Sequence, residues 1–206
     1  MIQPQALEDL ARSLMPPGYG CAVLPLTAVP QPLAPAEEQA VLRAVPKRRR
    51  EFALGRMVLR QAIAQAGHVL SHQQPIAMRP DRRPDLPPGI RASLSHGGEY
   101  CVAIAAPPGG PWVGVDVETM HRTPPPGLAE VVAPFRSDCG DPLLAFCVKE
   151  AMFKAQFPLT GRLLDFSEVP AVIRRGRVRA CLGDRLIGAR WGRTAGHYLA
   201  VSLWPG

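Results

Sequence analysis

The chain has 206 residues, 47% of them apolar, with a formal net charge of +7, enough for one large domain or two small ones. No stretch approaches the ~18 apolar residues of a membrane span, no basic start and apolar block suggest a secretion signal, and five scattered cysteines without a CxxC pair argue against a disulfide framework or zinc site and fit a reducing cytosol. Almost all the positive charge is arginine, whose fork suits phosphate, so a polyanionic partner is expected: nucleic acid, a phosphorylated ligand or an acidic protein.

Residues 1–35 are proline-punctuated, with a short helix expected near 5–14 and a strand near 20–26. A helix pair follows, 35–44 and 46–66. Pro46 suits the first turn of the second helix, Gly67 its stop, and Phe52, Leu59 and Ile63 its apolar stripe. Segment 75–90, rich in proline and arginine, reads as an ordered loop. The period then changes: ASLSH at 92–96, YCVAIAA at 100–106 and WVGVDVE at 112–118 read as strands, with turns at Gly97-Gly98 and 107–111. A proline-rich loop over 121–127 and a short helix near 128–133 lead to Asp141-Pro142. These residues form an N-cap and first-turn pair that opens a helix over 142–156, ended by Pro158. Strands at 165–173, 177–182, 185–191 and 197–204 complete an antiparallel meander. The order predicts an α+β chain of two similar halves, 1–108 and 109–206, each a long helix on a small antiparallel sheet, with one active site between them.

Four groups of residues can carry chemistry. In GVDVE, Asp116 and Glu118 lie two apart on a strand and share a face. Two adjacent carboxylates repel unless a cation lies between them, and a hard divalent ion such as Mg²⁺ takes oxygen ligands and keeps positions open for water and phosphate. An exposed edge strand with two solvated acids has the same pattern. In FCVKEAMFKA, Glu150 and Lys154 lie one turn apart on a largely apolar helix, with Lys149 alongside. This is either a surface ion pair or a polar site facing inward. In KRRREFALGRMVLR, arginines recur along one helix, as a phosphate grip or as a solvated basic face. Ser95 and His96 end a strand beside two glycines, where a histidine contacts a ligand or merely completes a turn.

In this order the blocks KRRREFALGRMVLRQAI, RPDRRPDLPPG, SLSH, VGVDVE, FCVKEAMFKAQFPLTGRLL and GHYLAVSLW resemble the 4′-phosphopantetheinyl transferases. The resembled branch is the one typified by enterobactin synthase component D, within the surfactin-type superfamily, and the resemblance runs from about Lys47 to Trp204. It implies Mg²⁺-dependent (Mn²⁺ also serving) transfer of phosphopantetheine from coenzyme A to a serine of an apo carrier protein, with release of adenosine 3′,5′-bisphosphate. It implies metal ligands at Asp116 and Glu118, with Glu150 completing the metal site or acting as base. Lys154 would contact the coenzyme A phosphates with Lys149 beside it, and Arg48 and Arg56 would hold the 3′-phosphate. Arg79 and Arg82 are placed on the phosphates, Ser95 and His96 near the nucleotide, and Leu164 along the pantetheine tunnel. The loop departs from the family pattern in being arginine-rich and in carrying Leu86 where a tryptophan is common.

Carrier proteins of this class are acidic, which suits a +7 partner. Residues 119–135 and the basic helix are the candidate docking surfaces. A monomer in the cytoplasm is expected, with no nucleic acid or membrane as partner. The carrier itself (siderophore, polyketide, nonribosomal-peptide or fatty-acid) is left open. Two rival readings remain: a basic nucleic-acid-binding module, which leaves the apolar setting of the three acids unaccounted for and lacks an aromatic RNA platform, and a degenerate transferase that binds coenzyme A without turnover.

Overall fold

The computed structural model describes residues 4–71, 74–120 and 123–206. The first half holds α1 (Pro4–Ser13), β1 (Gly20–Pro25), α2 (Pro35–Gln39), α3 (Pro46–Gln65), β2 (Ala92–Gly97) and β3 (Tyr100–Ala105). The second holds β4 (Trp112–Thr119), α4 (Leu128–Val131), β5 (Phe135–Ser137), α5 (Pro142–Thr160), β6 (Ala171–Arg174), β7 (Arg177–Leu182), β8 (Arg185–Thr194) and β9 (His197–Trp204). The strands form two sheets, ordered β1-β3-β2 and β4-β9-β8-β7-β6-β5.

Strand alternation explains the layering. In β1 and β3, Ala22, Cys101 and Ala103 face α3 and pack on Leu54, Val58 and Leu59, while Cys21, Val23, Val102 and Ile104 face the other way. There they meet Val113, Val115 and Val117 of β4, Leu199 and Val201 of β9, and Leu7 and Ala11 of α1. The far face of the larger sheet, with Ala189 and Ala200, packs on Leu144, Val148 and Met152 of α5. The layers therefore run α3, three-stranded sheet, six-stranded sheet, α5. Each half is a long helix on a sheet, and the two sheets close face to face on a shared apolar core.

One glycine in each half makes the helix–sheet contact tight. A Cβ on Gly20 of β1 would overlap the carbonyl of Ala62 in α3, and one on Gly114 of β4 would overlap the carbonyl of Ala151 in α5. Both sites put backbone on backbone, which only glycine permits.

Several elements differ from the expectation. Helix α2 stops at Gln39. The three-residue β5 pairs parallel with β6, so the larger sheet is mixed rather than purely antiparallel. Pro158 does not end α5. It occupies the last turn, and Gly161 (φ 63°) closes the helix with its N–H on Phe157 O at 2.9 Å. Residues 165–168 form a 3-10 turn rather than a strand, because Asp165 and Glu168 cap each other's backbone N–H groups. Residues 121–122 of the expected proline-rich loop and candidate docking segment lie outside the described residues. Among the described residues no helix is long and apolar enough to cross a membrane, and all five cysteines are free thiols.

Candidate active site

The site begins at β4. Alternation sends Val115 and Val117 into the core between the sheets and Asp116 toward α5, where it is 3% exposed. Its Oδ1 accepts from Ser95 Oγ of β2 at 2.7 Å and from Lys154 Nζ of α5 at 2.6 Å. Lys154 also donates to Val115 O at 3.2 Å. Three elements from both halves thus converge on one carboxylate oxygen. The other oxygen, Asp116 Oδ2, is buried and has no hydrogen-bond partner. An orphaned buried carboxylate oxygen costs a few kcal/mol unless something occupies its lone pairs.

The electrostatics bind the neighbouring groups together. Burial opposes the Lys154 charge, but Asp116 and then Glu150 outweigh it and raise its pKa. Burial raises the Glu150 carboxyl, Lys154 pulls it down and Asp116 pushes it up again. Cys147, whose thiol donates to Asp116 O at 3.4 Å, is pushed well above the ordinary thiol range, first by burial and then by the charges of Asp116 and Glu118. The three acids therefore share one electrostatic neighbourhood. Among the described residues no three His, Cys, Asp or Glu side chains form a closed metal-ligand cluster. The donor chemistry nevertheless fits a hard divalent cation: oxygen ligands only, one of them buried and unpartnered.

Beside this knot lies a cleft of about 630 Å³ between α3, β2, residues 78–91 and the C-terminal part of α5. Lys154 is on its wall, as are Phe153, Phe157 and Pro158 of α5. Across from them, Arg48 Nη1 lies 3.0 Å from His96 Nε2, so the helix arginine and the strand-end histidine share one rim. The loop supplies the rest. Arg79 N donates to Arg83 O at 2.9 Å and Arg82 N to Arg79 O at 2.8 Å. This turn is tight enough to hold Arg82 at φ 69°, in the left-handed region. Both arginines line the cleft, with Arg79 3.7 Å from Asp85. Leu86 stands in the same wall and packs toward the α3 core.

Three of the sequence-expected residues sit differently. Arg56 lines the cleft but is 5% exposed. Its Nε and Nη2 donate to Ile76 O at 2.6 Å and Ala77 O at 3.3 Å, and its guanidinium lies 4.0 Å above the Phe52 ring. Most of its fork therefore anchors the loop, and burial lowers its pKa to about 10. Lys149 does not reach the cleft. It is 1% exposed, and Nζ donates to Pro134 O at 3.1 Å and Phe166 O at 2.8 Å on the far side of α5, where burial lowers its pKa to about 8. It lies five positions before Lys154 on the helix, about 140° around the axis. Leu164 accompanies Lys149, lining a small void with Phe166 and Ile187 and packing on the α5 core. Lys149 and Leu164 thus lie apart from Lys154, beside a small void that shares Phe153 with the cleft wall.

The sequence reading passed over Arg83, whose Nη2 lies 2.7 Å from Asp81 Oδ2 and whose guanidinium stacks 4.8 Å from the Phe157 ring. It also passed over Phe153, which stacks on Phe157 at 5.1 Å. Their i, i+4 spacing on the helix is the signal that would have found the aromatic wall.

Residues 36–106 match the 4′-phosphopantetheinyl transferase N-terminal domain. The chain is similar to 4′-phosphopantetheinyl transferase Npt of Nocardia iowensis, 37% identical over 146 residues, covering 65% of this chain and 63% of that protein. It is also similar to 4′-phosphopantetheinyl transferase Svp of Streptomyces mobaraensis, 35% identical over 155 residues, with 68% and 61% covered. A third relative is 4′-phosphopantetheinyl transferase PptT of Mycobacterium tuberculosis, 34% identical over 152 residues, with 68% and 65% covered. The chain thus spans somewhat less than two thirds of the length of each of these relatives.

Proposed function

We propose that this protein transfers 4′-phosphopantetheine from coenzyme A to a serine of an acidic apo carrier protein and releases adenosine 3′,5′-bisphosphate. The observation that carries the reading is Asp116. It is a buried carboxylate with one oxygen held by Ser95 and Lys154 and the other unpartnered, beside a cleft rimmed by Arg48, His96, Arg79 and Arg82. The similarity to three transferases supports it.

In this reading residues 1–108 grip the phosphates, residues 109–206 carry the acids, and the cleft makes them one functional unit. Arg48 and His96 bind the 3′-phosphate. Arg79 and Arg82 reach the phosphates from the loop, and Arg56 holds that loop in place. Lys154 neutralises charge on the diphosphate as it moves to the leaving group. Glu150, whose carboxyl is raised by burial, takes the proton from the attacking serine hydroxyl, a contribution of about 10²–10⁴ in rate. The new bond joins serine oxygen to the β-phosphorus. The broken bond is the one from that phosphorus to the bridging oxygen, which leaves with the nucleotide. Asp116, Glu118 and Glu150 would hold Mg²⁺, or Mn²⁺, which when bound supplies a Lewis acid for the phosphoryl oxygens. Lys149, bonded to Pro134 O and Phe166 O, steadies α5 beside the site, and Leu164 lines the void next to Phe153, where the pantetheine arm would run. Membership of the enterobactin-synthase-component-D-like branch, a monomeric state and a cytoplasmic setting belong to the same proposal.

The test is intact-mass spectrometry of apo carrier proteins incubated with this protein, coenzyme A and Mg²⁺. Gain of one phosphopantetheine group, with adenosine 3′,5′-bisphosphate in the supernatant, is expected. An unmodified carrier across siderophore, polyketide, nonribosomal-peptide and fatty-acid types would overturn the proposal.

A further inference from the structure

The face of the larger sheet opposite α5 is covered over β4 and β9 by the smaller sheet and α1. Over β5 to β7 and the first part of β8, before α1 reaches Gly192 with Leu10, it is open, and its register builds an arginine lattice. Arg174, Arg177 and Arg190 lie directly opposite one another on three consecutive strands. In the next row outward, Arg136, Val172, Arg179 and Gly188 are in register on four strands. All five arginines are exposed. Strands are ~4.8 Å apart and residues of one face ~6.8 Å apart along a strand, so the five guanidiniums occupy a compact patch. Only Arg174 is paired, with Asp138 at 2.9 Å. Among the described residues no carboxylate lies within ion-pair reach of Arg136, Arg177, Arg179 or Arg190. Like charges directly opposite across a sheet destabilise it, so this row raises the free energy of the isolated chain and is relieved by an anionic partner.

We propose that this face is a docking surface for an acidic protein surface, separate from the cleft and from the basic helix α3. Three observations choose a protein over other polyanions. The cations are all arginine, whose fork takes a carboxylate bidentately and which is enriched in protein interfaces where lysine is depleted. Apolar side chains stand among them: Leu186 is 71% exposed and Val172 41% exposed, and Leu186 is in register with exposed Cys181. The open face itself carries no aromatic side chain among the described residues on which a nucleic-acid base would stack; Trp191, whose Nε1 donates to Arg174 O at 2.8 Å, belongs to the opposite face and packs on the α5 core. The face looks away from α5 and hence from Asp116, so its occupant is held while the cleft stays open. The inference does not rest on the transferase reading, and its test uses no coenzyme A.

The test uses the full chain with fluorescent poly-L-glutamate as probe, binding read by anisotropy across a salt titration. Arg177→Gln/Arg179→Gln/Arg190→Gln is expected to weaken binding at least tenfold and to raise Tm slightly, since it removes the like-charge row. Arg43→Gln/Lys47→Gln/Arg49→Gln removes the same charge from the α3 region and is expected to cost under threefold. Equal losses in the two variants, or none in the first, would overturn the proposal. Lysine at positions 177, 179 and 190 keeps the charge and loses the fork, and wild-type binding by that variant would overturn carboxylate recognition. A single-stranded oligonucleotide or a phosphatidylserine vesicle that bound more tightly, with the same dependence on these arginines, would assign the face to nucleic acid or membrane and overturn the choice of protein.

Discussion

Lys154 Nζ lies 2.6 Å from Asp116 Oδ1, on the oxygen that also accepts from Ser95. The ammonium sits on the side of the carboxylate that is already hydrogen-bonded and leaves the buried Oδ2 open. Replacing Lys154 with methionine keeps the stem and strands Asp116, 3% exposed, with one hydroxyl as partner. A loss of about 3–5 kcal/mol is expected, the cost of leaving a buried charge unpaired. Urea denaturation measures it, and added Mg²⁺ should return part of the loss by binding the native state.

Arg56 tests the loop rather than the reaction. Arg56→Met removes the donors to Ile76 O and Ala77 O and leaves two carbonyls to find water. Charged hydrogen bonds of this kind contribute ~1.5–3 kcal/mol each, so a destabilisation of about 2–3 kcal/mol is expected. Coenzyme A binding should weaken as residues 76–91 loosen, which calorimetry of both variant and wild type would show.

The two glycine contacts predict matched effects in the two halves. Gly20→Ala and Gly114→Ala each push a helix off its strand through a backbone overlap, and each should cost at least about 2 kcal/mol. Gly55→Ala is the control. Its new Cβ, inside helix α3, would meet only the two Leu94 methyls, at 3.6 and 3.9 Å, so a gain of about 0.5–1 kcal/mol is expected from helix propensity. Thermal melts of the three variants rank them directly.

The thiols give a pH dependence. Cys21 and Cys101 are fully buried, and burial pushes both up to about 12 from an ordinary 9.0. The native state therefore keeps these protons where the unfolded chain loses them. Their contribution is intact below pH 9 and is lost as pH climbs from 9 toward 12. Substituting either with alanine should flatten that decline. A thiol reagent at neutral pH should modify the exposed Cys139 and Cys181 quickly and leave Cys21, Cys101 and Cys147 until the chain unfolds.

The sequence reached the sheets and the grouping of side chains around Asp116 because both rest on short periods. Alternation put Asp116 and Glu118 on one face and the valines between them on the other. The i, i+4 spacing put Glu150 and Lys154 together. What it did not show has separate causes. Lys149 was grouped with Lys154 by charge, and an offset of five residues along the helix sets it on another side of α5, bonded to Pro134 O and Phe166 O. Nothing local shows that Arg56, which lines the cleft, also spends Nε and Nη2 on carbonyls 20 and 21 residues downstream. Strand β5 is too short to display a period. Pro158 reads as a stop but sits in a last turn, where the helix has little left to lose. The arginine face of β6 to β8 was invisible for another reason: each strand alternates ordinarily, and only the register lines up Arg174, Arg177 and Arg190.

The most direct test of the account is a single-turnover comparison of wild type with Asp116→Asn, following transfer to an apo carrier by intact mass and coenzyme A binding by calorimetry. The account predicts that wild type modifies the carrier and loses that activity with a chelator. It predicts that Asp116→Asn still folds and binds coenzyme A through the arginine rim, with transfer slowed at least a thousandfold, about 4 kcal/mol in the barrier. Transfer by Asp116→Asn at the wild-type rate would contradict it.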